Sequence, residues 1–450
     1  MNRPLNRRRF VSTSAMAGTG AALAWPTNAR GAQASAKPAA LGGPPAHSGG
    51  FPKWPVAAEA EETALLGTLR SGRWFRGDGT AVTGFEEAYA KLTGAAHCVA
   101  TSSGTSALTT ALGALDIGPG DEVIIPPYTF VATYNVVVLN YALPIFVDSD
   151  LQSFQIDARK IEAAVTEETK AILPVHIGGT PADLDTILAA GNRHGIPVIE
   201  DACQAHLAEW RGRSVGTWGL AGCFSFQVSK NLSSGEGGAV LSNEPTFAEI
   251  CAHFQDQGHR RAIAGPPLSH SGSRGSNLRM TEFQGSLLVA QMARLREQTE
   301  RRTANAQRLT KLLSEIPGLH PAVLPDGVTR SAYHLYMFRY DPEAFDGLDR
   351  EKFLSALSRE GVPCSAGYGV MNKSEYVANL AKNRHYLKIY GEKRMEEWLE
   401  RTRECPQNER LCREAVWFFQ NLLLGTSDHM DQIAEAIRKI QKHAGELTKV

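Results

Sequence analysis

The sequence predicts an α/β fold, a mostly parallel sheet covered by helices, on three observations. Apolar runs of strand length recur at 97–101, 121–126, 144–147, 171–177, 196–200 and 222–226. Helix-like segments such as 105–115 and 184–194 alternate with them, the pattern of parallel strands joined by covering helices. A length of 450 residues, 43% of them hydrophobic, suffices for a sizeable core and two domains.

The first element in chain order stands outside that fold. Asn6, Arg7, Arg8, Arg9, Phe10 and Val11 match the twin-arginine (Tat) export pattern, with Asn where Ser or Thr is commoner. A mildly apolar Ser/Ala/Gly stretch over 12–25 follows, then small residues up to Ala34. The stretch is too short and too weakly apolar for a stable membrane span. Residues 1–34 therefore read as a signal peptide cleaved between Ala29 and Ala34, with export of the folded chain to the periplasm through the Tat machinery. A disordered basic tail on a cytoplasmic protein is the alternative. Removing 1–34 takes five arginines and no acids from a chain with 47 basic and 47 acidic residues, which leaves it mildly anionic. Neither form has the basic surplus of a nucleic-acid binder. Residues 35–55, rich in Pro, Gly, Ala and Ser, read as a linker.

The body begins near Val56. At 97–108 a strand passes into a helix through Thr101, Ser102, Ser103, Gly104, Thr105 and Ser106. Backbone N–H groups at that helix start, with the Thr105 hydroxyl, suit a phosphate, although a plain helix cap uses the same residue types. The strand at 121–126 is stopped by Pro126 and Pro127, with Tyr128 and Phe130 just beyond. Phe130 can stack on a flat ring; a lone aromatic is more often core. At 198–205 a short apolar strand runs into Glu200 and Asp201, placing a carboxylate where a parallel sheet opens its ligand crevice. The run from Cys223 to Lys230 then carries a lysine from a strand end into a turn bordered by Gly235, Gly237 and Gly238. A lysine desolvated in such a cleft can lose its proton and form a Schiff base, whereas a surface-loop lysine is normally a solvated charge. Lys230 and Asp201 together meet the needs of pyridoxal phosphate: a covalent anchor, and a carboxylate that keeps the pyridine nitrogen protonated.

In this order and spacing the four stretches, with 171–179, 181–185 and 275–282, resemble the DegT/DnrJ/StrS family of pyridoxal-phosphate aminotransferases over nearly all of residues 52–440. The resemblance implies a fold-type I architecture, with a large cofactor-binding domain over 56–302 and a smaller C-terminal α/β domain over 303–450. It implies that Lys230 binds the cofactor covalently and later shuttles the proton, and that Asp201 partners the pyridine nitrogen. Gln204 would meet the phenolic oxygen and Phe130 would stack on the ring. Gly104, Thr105, Ser106 and Ser225 would hold the phosphate. Asn277 resembles the residue that family members lend to the neighbouring subunit's phosphate, which implies a homodimer with shared sites. Gly219, Leu220, Ala221 and Gly222 depart from the Gly–Asp of many relatives, a difference that bears on a turn and not on the chemistry.

Relatives with histidine in place of the lysine are sugar dehydratases, so Lys230 favours ping-pong transamination from an amino acid, glutamate or glutamine, to a keto-sugar or keto-cyclitol. Dehydration or elimination on a keto-sugar and a catalytically silent, cofactor-retaining binding protein are the alternatives. Segments 225–227 and 415–425 resemble the subgroup that includes glutamine:scyllo-inosose aminotransferases and aminohydroxybenzoate synthases. The substrate pocket is accordingly expected from Phe130, Tyr128, His176 and the loop of Gly367, Tyr368 and Gly369, without a basic cluster. A charged segment at 373–403 is read as a solvated helical face, or as a source of lysines for a diphosphate. His176 and His206 lie near the motifs and more often pack than bind. No His/Cys spacing resembles a metal site. The seven cysteines are scattered and read as buried small residues rather than a disulfide framework. An Arg-rich helix is expected from Met280 through Leu313, and a C-terminal helix around 430–443.

Overall fold

Seven strands form the main sheet of the computed structural model, which describes residues 37–259 and 274–450. They are β1 (His97–Thr101), β2 (Glu122–Ile125), β3 (Leu143–Phe146), β4 (Thr169–Ile172), β5 (Ile199–Asp201), β6 (Ala221–Ser225) and β7 (Gly238–Ser242). β3, β2 and β4 run parallel side by side, as do β5 and β6. Parallel bridges from Ile172 to Val198 and from Val175 to Asp201 join the two groups. β7 and then β1 add on antiparallel to close the other flank. Every residue of β2, β3, β5, β6 and β7 is buried, as expected where helices cover both faces. β7 is the strand that the apolar pattern did not single out. Its pairing of Gly238 with Ser225 makes it the return arm of a loop, and that loop carries Lys230.

The helix Glu282–Ser314, 33 residues long, links two cores. Its Leu288 and Leu295 pack in a buried cluster with Phe224, Phe226 and Ala239, on the β6 and β7 side of the sheet. Further along, Ala306, Leu309 and Leu313 join a second cluster formed by Leu335–Tyr340, Ala415–Phe419 and the helix Ser427–Lys442. The two strands of that cluster pair antiparallel, with Leu319–Pro321 on the outer edge. All seven cysteines are free, and five of them are buried.

Two expectations are corrected. Residues 37–55 are a fixed strap and not a free linker. The N–H groups of Ala39 and Ala46 each donate to the Glu360 carboxylate at 2.7 Å, and Lys439 reaches the same carboxylate at 2.9 Å. A buried carboxylate is tolerable only when so compensated, and the strap supplies two of its partners. At its far end the Trp54 indole N–H donates to the Val228 carbonyl at 2.8 Å, and its ring lies 5.3 Å from the buried Arg302 guanidinium. Composition missed the strap because its contacts lie more than 170 residues away in sequence.

The second correction concerns the segment 371–402. It lies in the chain assigned to the small domain, yet Val377, Leu380, Tyr386, Met395 and Trp398 pack into the same cluster as β2 and β3. Trp398 donates to the Pro144 carbonyl at 2.8 Å. Most of its charges are exposed, although Arg394 pairs with the buried Glu122 carboxylate, so it is a largely solvated helical face with an apolar underside, and Lys373 pairs with Glu409 at 2.7 Å. Residues 1–34, the proposed signal, lie outside the described residues.

Candidate active site

A cavity of about 620 Å³ opens beyond the carboxyl ends of β5 and β6, against the start of the helix Gly104–Ala114. Its size is ordinary for a small-molecule site. Asp201 ends β5 and is 4% exposed. One carboxylate oxygen accepts the Thr133 hydroxyl at 2.8 Å and the other accepts the Cys203 N–H at 3.2 Å. Thr129 lies 2.8 Å from the Thr133 hydroxyl, so a chain of two threonines aims the carboxylate. A carboxylate offers about four acceptor positions, so some remain for a ligand in the cavity that Asp201 lines.

Ser225 ends β6, and its carbonyl accepts the His206 Nε2–H at 2.8 Å. That carbonyl can only accept, so Nε2 carries the proton, and the other nitrogen accepts the Tyr89 hydroxyl at 3.0 Å. Burial pushes His206 down to about 3, so the ring is a neutral strut under Ser225. Gly104 closes this wall. A Cβ there would stand 2.6 Å from the Ser225 Cβ and 2.9 Å from the Cys203 sulfur, so only glycine lets the helix start approach so closely. Ser103 caps the helix by accepting the Ser106 N–H at 3.0 Å. The first intrahelical bond is made by Ala107 to the Ser103 carbonyl. The N–H groups of Gly104 and Thr105 thus precede the ladder, at the cavity wall.

Lys230 sits in the loop between β6 and β7, half-buried, and lines the same cavity. The loop is held by the Lys230 N–H to the Gln227 carbonyl at 2.8 Å and by the Ser229 hydroxyl to the Gln227 side chain at 2.7 Å. Burial pushes the Lys230 amine below the ordinary lysine range, against the opposing pull of Cys203 and Asp201. Gln204 is fixed at both ends: its carbonyl accepts the Gly178 N–H at 2.7 Å and its amide donates to the Tyr368 hydroxyl at 2.8 Å. Phe130, 58% exposed, stands at the cavity on the N-cap of the helix Val131–Leu139.

The structure therefore brings Gly104, Thr105, Phe130, Asp201, Gln204, Ser225, Lys230 and Tyr368 to one cavity. Four expected residues are placed elsewhere. The Ser106 hydroxyl is tied up with those of Ser102 and Ser103, each at 2.9 Å, so it serves the helix cap while Ser103 reaches the wall. Tyr128 is buried behind the wall, where its hydroxyl accepts the Trp417 indole N–H at 3.0 Å. His176 is 0% exposed: Nε2 meets Glu200 at 2.9 Å and Nδ1 accepts the Ala182 N–H at 3.0 Å. Glu200 also accepts the N–H groups of Gly216, Trp218 and Gly219. Burial works to raise its carboxyl, but His176 and these donors outweigh that and hold it below the usual range. The pair clamps the turn before β6, the turn where Gly219–Leu220 departs from the Gly–Asp of many relatives. Asn277 is exposed, bridges to Asp256 and does not line this chain's cavity. The second sheet adds His334, Leu335, Trp417 and Phe419, which the sequence reading missed. His334 and Leu335 stand at the start of one strand and Phe419 at the end of the next, while Trp417 lies mid-strand within the segment 415–425 singled out by the subgroup resemblance.

Comparison with known proteins now bears on this geometry. The model of the DegT/DnrJ/EryC1/StrS aminotransferase family matches residues 56–437. The chain belongs to that family. An L-glutamine:2-deoxy-scyllo-inosose aminotransferase of Streptoalloteichus tenebrarius is 38% identical over 417 residues, covering 90% of this chain and 97% of the relative. An L-glutamine:scyllo-inosose aminotransferase of Streptomyces griseus is 35% identical, covering 91% and 98%. The crystal structure of a 3-amino-5-hydroxybenzoic acid synthase superposes with a TM-score of 0.77 at 31% identity, covering 88% of this chain and 99% of that one. The architecture is accordingly fold-type I, and this DegT/DnrJ/EryC1/StrS enzyme is a pyridoxal-phosphate-dependent aminotransferase.

The residues present fit the cofactor. The cradle at Gly104, which a Cβ would fill, faces the Ser225 hydroxyl and is of a kind that suits a phosphate. Asp201 would stand at the ring nitrogen and Lys230 at the aldehyde. When bound, pyridoxal 5'-phosphate supplies an electrophilic carbon and an electron-accepting ring. The chain supplies the fixed carboxylate and the partly desolvated amine.

Proposed function

We propose that this aminotransferase moves an amino group from glutamine or glutamate to a free keto-cyclitol or keto-sugar, by a ping-pong cycle. One observation carries the choice of a free acceptor: among the described residues that line the cavity, Lys230 is the only lysine or arginine, beside the acids Asp201 and Glu236. A diphosphate is normally met by several cationic groups. The names of the relatives above, both of which use small inosose rings, support the same choice. In this reading Lys230 would take the α-proton of the donor and deliver it to the cofactor's former aldehyde carbon, then carry a proton the opposite way for the acceptor. Asp201 holds the proton on the ring nitrogen, Gln204 meets the phenolic oxygen, and Phe130 stacks on the ring. The helix start with Thr105 and Ser225 binds the phosphate.

The test is a comparison of kcat/KM for a free keto-inositol and for a nucleotide-diphospho-keto-sugar. At least ~10-fold preference for the free ring is expected, and preference for the nucleotide form would overturn the reading. The enzyme is further proposed to be a homodimer in which Asn277 completes the partner's phosphate site, since that residue is exposed and does not line its own chain's cavity. Mixing inactive Lys230→Ala chains with impaired Asn277→Asp chains should restore activity through hybrid sites. A fully active monomer by light scattering would refute this. Export of the folded holoenzyme is proposed from Arg7 and Arg8. Changing both to lysine should retain a tagged chain in the cytoplasm, and wild-type chains found only there with residues 1–34 intact would refute the proposal.

A further inference from the structure

His334 reaches the cavity from the second sheet, just ahead of the strand Leu335–Tyr340, and nothing in the scheme above uses it. It is 6% exposed, and its hydrogen bonds fix its chemistry. Nδ1 lies 3.3 Å from the side-chain oxygen of Asn231, the residue that follows Lys230. The orientation of that amide is set independently, because its nitrogen donates to the Ala332 carbonyl at 2.7 Å. The oxygen therefore faces His334 and can only accept, so Nδ1 must carry the proton. Nε2 is then an unprotonated lone pair, the one polar atom His334 has left for the cavity.

The surroundings keep the ring in that state. Burial pushes His334 well below the ordinary histidine range, and the charges of Lys230 and Arg302 act in the same direction. Asp201 and Glu236 are the acids on the same wall, and Asp201 is occupied by Thr133 and Cys203. An imidazole that stays neutral presents an obligate acceptor, and an obligate acceptor in a cavity recognises a donor.

Which donor follows from what the two substrates offer. The amino group in transit must reach the reacting centre at Lys230, so it does not serve His334. The group next to it on an amino-acid donor is a carboxylate, which only accepts and is repelled by a lone pair; the one other donor glutamine has, its side-chain amide, lies three carbons from the reacting α-carbon, and glutamate has none. A polyhydroxylated ring carries a hydroxyl, a donor, on each neighbouring carbon.

We infer that Nε2 of His334 accepts a hydrogen bond from a ring hydroxyl of the amino acceptor, which makes His334 a specificity-determining residue for polyhydroxylated acceptors. The inference rests on the acceptor being a polyol ring, free or nucleotide-linked. Asn231 is its positioning residue, so the loop that carries Lys230 also orients the group that reads the acceptor.

The test separates the two half-reactions of the holoenzyme, followed by the cofactor's absorbance. His334→Phe should slow amination of scyllo-inosose by about 10- to 100-fold in kcat/KM, the usual consequence of an unpaired polar contact. The donor half-reaction with glutamine should change less than about 3-fold, within the scatter of a change that removes no contact. His334→Gln, whose side-chain oxygen can occupy the place of Nε2, should recover part of the loss. Among inososes lacking one hydroxyl each, one should be poor for the wild type and lose nothing further in His334→Phe. Equal loss in both half-reactions would assign His334 to the cofactor or the fold and overturn the inference. So would no loss in either, or the same additional loss with every deoxy analogue. Failure of the free-cyclitol reading shows separately, as a wild type silent on scyllo-inosose and active on a nucleotide-linked keto-sugar. The same variants and half-reactions on that sugar then decide the role of His334.

Discussion

Lys230→Ala is expected to lower turnover at least ~10²-fold, because it removes the covalent anchor of the cofactor and the proton shuttle together. Wild-type protein reconstituted with pyridoxal phosphate should be yellow, with a visible band that borohydride abolishes, and the variant should show no borohydride-sensitive link. Lys230→Arg separates charge from nucleophilicity. Arginine retains the cation that balances Asp201 but stays protonated, so it should be as inactive as alanine. The loop carrying Lys230 is pinned by Gln227 and by the Ser225–Gly238 pairing, so both variants should fold. Near wild-type turnover in either variant, or wild-type protein that stays colourless with added cofactor, would exclude Lys230 as the anchor.

Asp201→Asn should cost ~10²- to 10³-fold in turnover while leaving the covalent link intact. The substitution keeps the shape of a side chain held by Thr133 and Cys203 but removes the charge that stabilises a protonated ring nitrogen. Both half-reactions should slow together, unlike the one-sided effect expected at His334, because the electron-accepting ring serves both. Thr133→Val should have a smaller effect in the same direction, since it loosens the aim of the carboxylate without neutralising it. Equal rates for Asp201→Asn and wild type would show that the carboxylate is structural.

Much of this site is legible in the chain because the groups lie at the ends of buried strands. Asp201 and Ser225 end β5 and β6, and parallel strands present their carboxyl ends to one crevice, so the sheet alone brings them together. Gly104 and Thr105 follow β1, and Lys230 lies in the loop after β6, by the same logic. Tyr128 and His176 misled because they also follow strands of this sheet. A strand end decides where the backbone goes, whereas partners decide where the side chain points. Glu200 and the Ala182 N–H draw His176 inward, and Trp417 draws Tyr128. Ser106 misled for a local reason, since the helix cap competes for the same hydroxyls as a phosphate would.

The amino-acid order by itself determined the α/β class, the lysine and carboxylate at the crevice, and the long helix Glu282–Ser314, because each depends on periodicity or on residues within a few positions of one another. Only the tertiary structure decided that residues 37–55 bind Glu360 and Lys439, that 371–402 packs on the first core, and that His334 faces the cavity from a second sheet. These depend on partners more than 100 residues away, as with His334 and Asn231. A buried polar group such as Glu360 or His334 is satisfied by whatever donor the fold brings near, and no local pattern encodes which one that is.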